Sequence, residues 1–516
     1  MTMGNRMTTT LYHNGLLHPY GPAALFVDGD TIGWVGAEDN SPDGAAHTVD
    51  LRGALVTPAF VDAHVHCTGA GLAVTGLNLR SAGSLHEALR LVEEHARGRR
   101  GAAVLGDGWD ETRWPEHRPP TPQELDRASY GGVVYLSRID GHSGVVSSAL
   151  LAAAPDASAL PGFSDSGWLS RAAHHAVRRA ARATLSTSDR RSAQRAARHA
   201  AAQVGIGCIH ELAGPETSGA DDLRSLQGLA AEESGPDLIA YWAELHGVAR
   251  ARELGAAGAA GDLFADGAVG SRTAALAAPY EDDPATSGAA YLTAPEVTEH
   301  VVACTKAGLQ AGFHAIGDAA VAAVVDGFSA AARAVGVAAI RDARHRIEHV
   351  EMFDAEQIAQ LAALGIVASV QPAFDAAWGG TDGMYVRRVG PQRARAMNPF
   401  AALAAAGVPL AFGSDAPVTP LDPWGGVRAA IHHRTAGFEI SLEAAFAAHT
   451  AGGWYAARRT GGSLVAGAPA TFAVWDSTTV PAGSTLPDLA LDVPLPTCLR
   501  TVVRGGLVHD VEGALG

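Results

Sequence analysis

The sequence contains little cysteine. Its 516 residues include four cysteines, Cys67, Cys208, Cys304 and Cys498, which lie far apart and form no Cys-x-x-Cys pair. This spacing argues against a disulfide-stapled scaffold and favours reduced thiols. We therefore expect a cytoplasmic protein.

Long apolar runs and an excess of positive charge are also missing. No run is long enough to span a bilayer, and Met1–Leu11 lacks the apolar core of a signal peptide. The net charge of −16 argues against nucleic acid or an anionic membrane as a partner. The arginine-rich run from Arg171 to Arg182 predicts a solvated amphipathic helix and not a nucleic-acid patch. We expect a small-molecule substrate as the partner, and a homodimer is compatible with the sequence.

Two common catalytic motifs are absent as well. The sequence has no Gly-x-Ser-x-Gly nucleophile elbow and no phosphate-binding loop, so a serine hydrolase or a kinase has no support. The hydrophobic content of 47% and the charged content of 18% are typical of a globular protein with a large core. The length indicates one large domain with accessory parts.

What the sequence does contain is a strand-like segment with paired histidines. The apolar run Ala54–Phe60 predicts a buried strand that continues into Val61–Cys67. Because side chains alternate along a strand, His64 and His66 point to the same face and could hold a metal ion together. Asp62 shares that face and is expected to orient a ligand from behind. Taken alone, the pair also fits two ordinary strand histidines.

Seven further strand candidates alternate with helical segments after this one. They are Ile206–Glu211, Leu238–Leu245, Leu263–Asp266, Leu309–His314, Arg346–Val350, Val367–Gln371 and Leu410–Asp415. Eight strands that alternate with helices indicate an α/β fold of the (β/α)₈ TIM-barrel type.

The other segments indicate two accessory parts. Strand-like runs and turns occur near both ends, so residues 1–57 and 464–516 are expected to build one small β-sandwich. The barrel would then take residues 58–67 and 204–463. Residues 68–203 are too many for one strand-to-helix connection. We expect them to form an inserted α/β lobe over the barrel mouth.

Candidate ligands stand at the ends of three later strands, namely His314, His349 and Asp415. Functional residues of such a barrel lie at the carboxyl ends of its strands, so these three would face a common point with His64 and His66. Imidazoles with one carboxylate suit Zn²⁺, with Mn²⁺ or Fe²⁺ as alternatives. Each residue alone also fits a core histidine or a helix cap, but their order along the strands favours a metal site.

Segments around these residues resemble the amidohydrolase superfamily. Within it, they are similar to the branch of metal-dependent hydrolases that includes N-substituted formamide deformylase. The matching segments cover nearly the whole chain and comprise residues 58–66, 108–111, 138–143, 264–273, 314–318, 346–349 and 413–417. The resemblance implies a metal-dependent enzyme that hydrolyses a carbon–nitrogen bond other than a peptide bond.

The resemblance also implies roles for the matched residues. The implied metal ligands are His64, His66, His314, His349 and Asp415. Asp415 would in addition take a proton from the attacking water, and His349 or His142 would help to stabilise the oxyanion. The implied substrate contacts are Trp109, Asp266 and Arg272.

One position departs from the pattern of the family. Many relatives carry a lysine just before the Leu-Phe-Ala-Asp-Gly run, and this lysine, when carbamylated, can bridge two metal ions. Here the position is Asp262. Its shorter side chain is expected to fall short of that point, which predicts one metal ion per chain. Asp266 and Glu211 are candidate substitutes.

Two alternatives to this hydrolase stay open. A deaminase of the same superfamily would have a glutamate shortly after His314, and the chain offers only Asp318 there. A non-catalytic metal-binding or ligand-binding regulatory protein is the other alternative. The presence of Asp415 argues against it, because a structural zinc site needs no general base.

Overall fold

The computed structural model describes residues 9–99 and 101–516. These residues form twenty-one strands, β1 to β21, and eighteen α-helices, α1 to α18. The strands are, in order, Thr9–Leu17, Gly21–Asp28, Thr31–Gly36, His47–Asp50, Leu55–Pro58, Phe60–Val65, Leu77–Asn78, Val104–Trp109, Val134–Arg138, Ser143–Val146, Trp168–Ser170, Ile206–Ala213, Asp237–Trp242, Gly258–Ala259, Gln310–Ala315, Arg346–His349, Val367–Val370, Leu410–Phe412, Phe472–Trp475, Cys498–Val503 and Gly506–Asp510. The helices are, in order, Cys67–Thr75, Leu85–Gly98, Pro122–Ala128, Ser148–Ala153, Arg171–Arg182, Thr187–Gln203, Ala220–Glu232, Val248–Glu253, Ala294–Ala307, Asp318–Val335, Val337–Ala343, Ala355–Leu364, Pro372–Trp378, Met384–Ala394, Phe400–Ala405, Pro423–Ile431, Leu442–Ala448 and Ala451–Ala456.

Eight parallel strands form two sheets at the centre of the chain. One sheet has the order β13-β12-β6, and the other has the order β14-β15-β16-β17-β18. All eight residues of β12 and all six of β6 are buried. Strands buried on both faces are typical of parallel sheets that are covered by helices. The prediction of an α/β fold with parallel strands is confirmed.

Seven of the eight expected strands lie within a few residues of observed ones, and the fourth differs. The observed fourth strand is β14, which ends at Ala259. The predicted segment Leu263–Asp266 has a single bridge, between Phe264 and His314. Between the two, Gly261 has a φ of 100° and turns the chain.

Hydrogen bonds connect the two central sheets at both of their edges. After β18, the N–H of Asp415 donates to the carbonyl of His64 on β6 at 2.7 Å. Before β14, the N–H of Ala257 donates to the carbonyl of Ala240 on β13 at 2.8 Å. The first of these contacts brings the chain that follows β18 next to the paired histidines.

Both ends of the chain meet in one sheet of eight strands. Its order is β21-β20-β19-β5-β1-β2-β3, with β4 paired to β1. Leu25 and Val56 from the first segment pack in one apolar cluster with Phe472 and Val502 from the last. Because β5 leads directly into β6, this sheet anchors the strand that carries the paired histidines.

A second accessory unit lies between α1 and α6. It contains a five-stranded sheet with the order β11-β10-β9-β8-β7. Its core includes Leu136, Val145, Trp109 and Trp114, and the partly buried Trp168 packs against it. The unit faces the carboxyl ends of the central strands, because residues from both parts line one cavity.

No single helix in residues 9–99 and 101–516 has the length and apolar character to cross a membrane. The pair α10 and α11, bent by 119°, meets those criteria only when the two helices are taken together.

Candidate metal centre and active site

Four histidines and an aspartate meet at the carboxyl ends of the central strands. The ring centroids of His64 and His66 are 5.3 Å apart, and those of His314 and His349 are 4.5 Å apart. His64 also lies 4.9 Å from His349 by ring centroids. Asp415 Oδ1 is 3.4 Å from Nε2 of His64 and 3.2 Å from Nε2 of His66. The structure thus gathers the five residues that the sequence predicts as metal ligands.

Asp262 also reaches this cluster. Its carboxylate lies 3.0 Å from His66 Nε2, 3.4 Å from His64 Nε2, 3.7 Å from His314 Nδ1 and 3.8 Å from His349 Nε2. The expectation that an aspartate here would fall short is therefore wrong. Asp262 directly follows Gly261, whose φ is 100°, so its backbone no longer belongs to strand β14.

Several polar atoms at this point have no hydrogen bond. They are His64 Nε2, Asp262 Oδ1, His314 Nδ1 and Asp415 Oδ1, all of them buried. Each buried polar atom left unpaired costs about 1–3 kcal/mol, so four that converge on one point call for a common partner. Imidazole nitrogens and carboxylate oxygens are the ligands that Zn²⁺ and related ions prefer. The donor set therefore fits a divalent metal ion.

Acceptors behind the histidines fix the orientation of three rings. The contacts are His64 Nδ1 to Glu348 Oε2 at 3.0 Å, His349 Nδ1 to Gln371 Oε1 at 2.7 Å, and His314 Nε2 to the carbonyl of Gly267 at 3.2 Å. Each acceptor places the ring proton on the nitrogen that faces away from the cluster. The other nitrogen keeps its lone pair for a metal ion.

Glu348 is in turn held by Arg346. Nε and Nη2 of Arg346 donate to its carboxylate at 2.5 and 3.0 Å, and both side chains are fully buried. Burial opposes ionisation of Glu348, but Arg346 and His64 outweigh it and lower its pKa to about 2. Sequence reasoning gave neither residue a role. The signal was their spacing of two on a buried strand, which puts both on one face.

Asp415 has an unusual backbone conformation. Its φ of 52° lies in the left-handed region, which residues other than glycine rarely adopt. Such strain persists where surrounding contacts impose it, and it concentrates at functional sites. One of these contacts comes from Asp62, whose Oδ1 accepts the N–H of Ser414 at 2.8 Å. Asp62 therefore positions the turn before Asp415 and does not orient a histidine ring as expected.

The charges of the cluster are strongly coupled. Burial disfavours the charged form of His66, but Asp262 and Asp415 outweigh it and raise the pKa of His66 to about 9. Burial likewise opposes the charged form of Asp262, but His64, His314 and His349 outweigh it, so its pKa lies well below the usual range. A metal ion that binds here would displace protons from the rings, so its affinity would rise with pH.

A cavity opens from the cluster toward the lobe sheet. His66, Asp262, His349 and Asp415 line one end of it. His142 lines the cavity as well, and its ring centroid is 4.8 Å from that of His314. Burial holds the pKa of His142 well below the usual range, so its ring is neutral at pH 7.

Comparisons with known proteins agree with this geometry. The sequence profile of the amidohydrolase family matches residues 47–509. The chain belongs to the amidohydrolase family. The resemblance predicted from the motifs is thereby confirmed. As an amidohydrolase, the chain is an enzyme, a metal-dependent hydrolase of carbon–nitrogen bonds.

Individual relatives of this amidohydrolase point the same way. YtcJ of Bacillus subtilis (strain 168), a protein assigned to the amidohydrolases by name, is 27% identical over 451 residues, which cover 79% of this chain and 80% of YtcJ. N-substituted formamide deformylase of Arthrobacter pascens is 32% identical over 136 residues, 25% of each chain. An uncharacterized metal-dependent hydrolase from Pyrococcus furiosus superposes with a TM-score of 0.71 at 26% identity, over 91% of this chain and 99% of that one.

Trp109 is not part of the amidohydrolase cavity, so its predicted contact with substrate is wrong. Its side chain is fully buried in the core of the lobe, where Nε1 donates to the carbonyl of Leu136 at 2.9 Å. A bulge at Gly108, with a φ of 91°, separates Asp107 from Trp109 in the strand pairing. Asp107 consequently lines the cavity, whereas Trp109 does not.

The other two predicted substrate contacts are wrong as well. Asp266 is fully buried and accepts the N–H groups of Ala275, Ile316 and Gly317 at 2.8, 3.0 and 2.8 Å. Arg272 forms an ion pair with Asp282 at 2.8 Å. Both residues hold loops behind the site, and neither lines the cavity.

The acids suggested as replacements for the lysine or the missing glutamate also bind backbone. Glu211 Oε2 accepts the N–H of Cys67 at 2.7 Å. Asp318 is the first residue of α10, and its Oδ1 accepts the N–H groups of Ala277 and Ala319 at 2.8 and 3.0 Å. Asp262 fills the lysine position itself. The deaminase alternative depended on Asp318, and Asp318 is occupied by these backbone contacts.

The arginine-rich helix α5 is less solvated than predicted. It is amphipathic, with Val177 and Ala181 fully buried in the lobe. However, Arg178 and Arg182 line the cavity, so this part of the expectation is wrong.

Proposed function

We propose that this amidohydrolase hydrolyses an amide-type, non-peptide carbon–nitrogen bond of a small molecule, with Asp415 as the general base. The observation that carries the proposal is the convergence of unpaired buried atoms from His64, Asp262, His314 and Asp415 at the end of a cavity. Amides, imides, lactams and carbamates all present a carbonyl carbon for attack by water. The cavity supplies both the candidate metal ligands and a carboxylate that can accept the proton.

We further propose that the centre holds one Zn²⁺ ion per chain. Its ligands would come from His64, His66, His314, His349 and Asp415, with Asp262 now added to the set. Two groups of three residues have ligand atoms within 4.8 Å of one another, and both groups contain His64. One imidazole nitrogen binds one ion, and the other nitrogen of His64 faces Glu348 at 3.0 Å. The two groups therefore cannot both be filled.

When bound, the ion would polarise the scissile carbonyl and lower the pKa of water in the site. The chain's own residues then handle the proton. Asp415 accepts it from the attacking water and returns it to the leaving nitrogen. His142, neutral and beside His314, would donate a hydrogen bond to the developing oxyanion, with His349 as the second candidate for this role.

The proposal includes an arrangement of domains. The two parallel sheets would close into one (β/α)₈ barrel of residues 58–67 and 204–463, which the hydrogen bonds at both edges support. Residues 68–203 would form the lobe over its mouth, in keeping with the shared cavity. Residues 1–57 and 464–516 would form a β-sandwich around their common apolar cluster.

The function can be tested with purified, metal-loaded protein and a panel of N-formyl amines, simple amides and cyclic imides. Chromatography would follow release of the amine and the acid. Hydrolysis that the His64→Ala, His66→Ala double variant loses would support the proposal. Metal content without hydrolysis anywhere in the panel would favour a non-catalytic binding protein. Release of ammonia from an amino-substituted ring would favour a deaminase.

A further inference from the structure

We propose that the substrate carries a carboxylate, which the guanidinium groups of Arg178 and Arg182 bind on the lobe side of the cavity. This inference rests on the hydrolytic function proposed above and names its substrate class.

The two arginines share one face of α5. Residues four apart in a helix are neighbours on its surface, one turn from each other. Both line the cavity that also contains His66, Asp262 and Asp415. A molecule whose scissile bond lies at the metal centre could therefore place another of its groups against this face.

Neither guanidinium has an acidic partner. Among residues 9–99 and 101–516, no carboxylate oxygen forms an ion pair of 4.0 Å or less with either one. Two acids that contact this part of the lobe pair elsewhere: Glu216 with Arg179, and Asp222 with Arg190 at 3.1 Å. Two like charges at this helical spacing repel each other, and an anionic ligand would relieve that repulsion.

Both arginines also have donors left over. Arg178 Nη1 and Nη2 donate to the carbonyls of Gly141 and Glu216 at 3.2 and 2.5 Å, which fixes the side chain in place. Arg178 Nε and Arg182 Nη1 are buried and have no hydrogen bond. Burial is the main reason that the pKa of Arg178 falls to about 10, so the group remains cationic at neutral pH.

A carboxylate fits these observations. It supplies a negative charge beside the two guanidinium groups that line the cavity, and its two oxygens can accept hydrogen bonds from them. Apolar residues of the same cavity, among them Leu72, Leu105 and Phe264, would cover the apolar part of the substrate. An N-acyl amino acid is the simplest compound with this layout.

The acids of the cavity could instead favour an amine, but Asp262 and Asp415 belong to the metal centre and Asp140 pairs with Arg138 at 2.8 Å. Asp107 lines the cavity, and its Oδ2 has no hydrogen bond. Arg80, however, lies beside it at 3.9 Å, so this carboxylate already has a cation nearby. Arg178 and Arg182 have no acidic partner within 4.0 Å among the described residues, which is why the anionic substrate is favoured.

The test uses matched compounds and matched variants. N-acetyl and N-formyl amino acids are compared with their carboxamides and with N-acyl diamines that carry an ammonium group. The N-methylsulfonyl amino acids and their carboxamides, which resist hydrolysis, report binding by calorimetry. Arg178→Gln and Arg182→Gln are the variants, and Arg179→Gln on the same helix, with a side chain 52% exposed, is the control.

We expect wild-type metal-loaded protein to prefer the carboxylate over the carboxamide by about 10- to 100-fold in both kcat/KM and Kd, as for hydrogen bonds to a charged group. Arg182→Gln should reduce this preference to within about threefold. Arg179→Gln should leave it unchanged. Arg178 binds two backbone carbonyls, so Arg178→Gln could fail to fold. In that case the result for Arg182→Gln alone tests the inference.

Three results would overturn the inference. They are equal binding of a carboxylate and its carboxamide by the wild type, a preference of the wild type for the ammonium compounds, and an Arg182→Gln variant that keeps the full preference for the carboxylate. Failure of the two proposals can be told apart. Hydrolysis of the panel without a carboxylate preference keeps the hydrolase and removes the anion site. A carboxylate preference among the sulfonyl compounds without any hydrolysis keeps the anion site and removes the hydrolase.

Discussion

Glu348→Gln should weaken both metal binding and the fold, although Glu348 lies behind the metal centre. The substitution keeps the shape of the side chain and removes the charge that faces His64 and Arg346. His64 loses the acceptor that orients its ring and makes it a better ligand. Loss of such a partner typically lowers metal affinity by about 10- to 100-fold.

The effect on stability can be estimated from the same contacts. A carboxyl group whose pKa falls from 4.5 to about 2 on folding contributes about 3 kcal/mol at neutral pH. This agrees with the loss of about 3–5 kcal/mol in stability when one partner of a buried ion pair is removed. The cost should lie near the lower figure, because the glutamine oxygen can still accept from Arg346.

Two measurements at pH 7 check this prediction. Competition with a chelator gives the metal affinity, and denaturant unfolding of the metal-free protein gives the stability. Glu356→Gln, the same change at an exposed position of α12, should alter neither. If Glu348→Gln binds metal as wild type does and unfolds within about 0.5 kcal/mol of it, the assigned role of this network is wrong.

Four more outcomes are expected. The His64→Ala, His66→Ala variant should lose metal and activity together while its circular dichroism stays that of the wild type; wild-type metal content by elemental analysis would contradict the ligand assignment. Asp415→Asn should retain most of the metal and lose turnover by about 10²- to 10⁴-fold; near-normal turnover would exclude it as the base. Native mass spectrometry should find one tightly held ion per chain, and two equally retained ions would indicate that Asp262 bridges them. The pKa of Glu124 is lowered to about 2, mainly by its hydrogen bonds with Arg118, so its charge stabilises the lobe at pH values above the pKa of the unfolded state. Glu124→Gln should therefore lower the free energy of unfolding by about 1 kcal/mol at pH 7, and by progressively less as the pH falls from about 4.5 to 2. A loss of stability that stays constant over this pH range would contradict this account.

The metal ligands could be predicted because strand geometry is regular. Alternation placed His64 and His66 on one face, and the rule that strand ends converge placed His314, His349 and Asp415 with them. These inferences need only the direction and order of strands. They do not depend on the details of any loop.

The errors fall where the backbone leaves regular geometry. The Asp262 side chain is short, as expected, but it follows the turn at Gly261 and still reaches the histidines. The bulge at Gly108 likewise turned Trp109 into the lobe core. Neither departure could be inferred from residue type, because glycine permits such conformations without requiring them.

Contacts between segments that are distant in the sequence could not be predicted from the sequence either. The sequence of α5 shows an amphipathic helix, but it does not show which polar residues face solvent and which face another part of the chain. Arg178 and Arg182 acquire a role only because the lobe lies against the central strands. Substrate recognition depends on this kind of tertiary contact, so it was the part least accessible from sequence.

The carboxylate of Asp262 has a consequence for how the centre is assembled. A carbamylated lysine requires carbon dioxide, and the modification reverses when carbon dioxide is withdrawn. The sole lysine of this sequence, Lys306, is exposed on α9 and cannot take that place. Asp262 carries its carboxylate permanently from synthesis. The apoprotein should therefore recover its metal equally well in degassed and in bicarbonate-containing buffer.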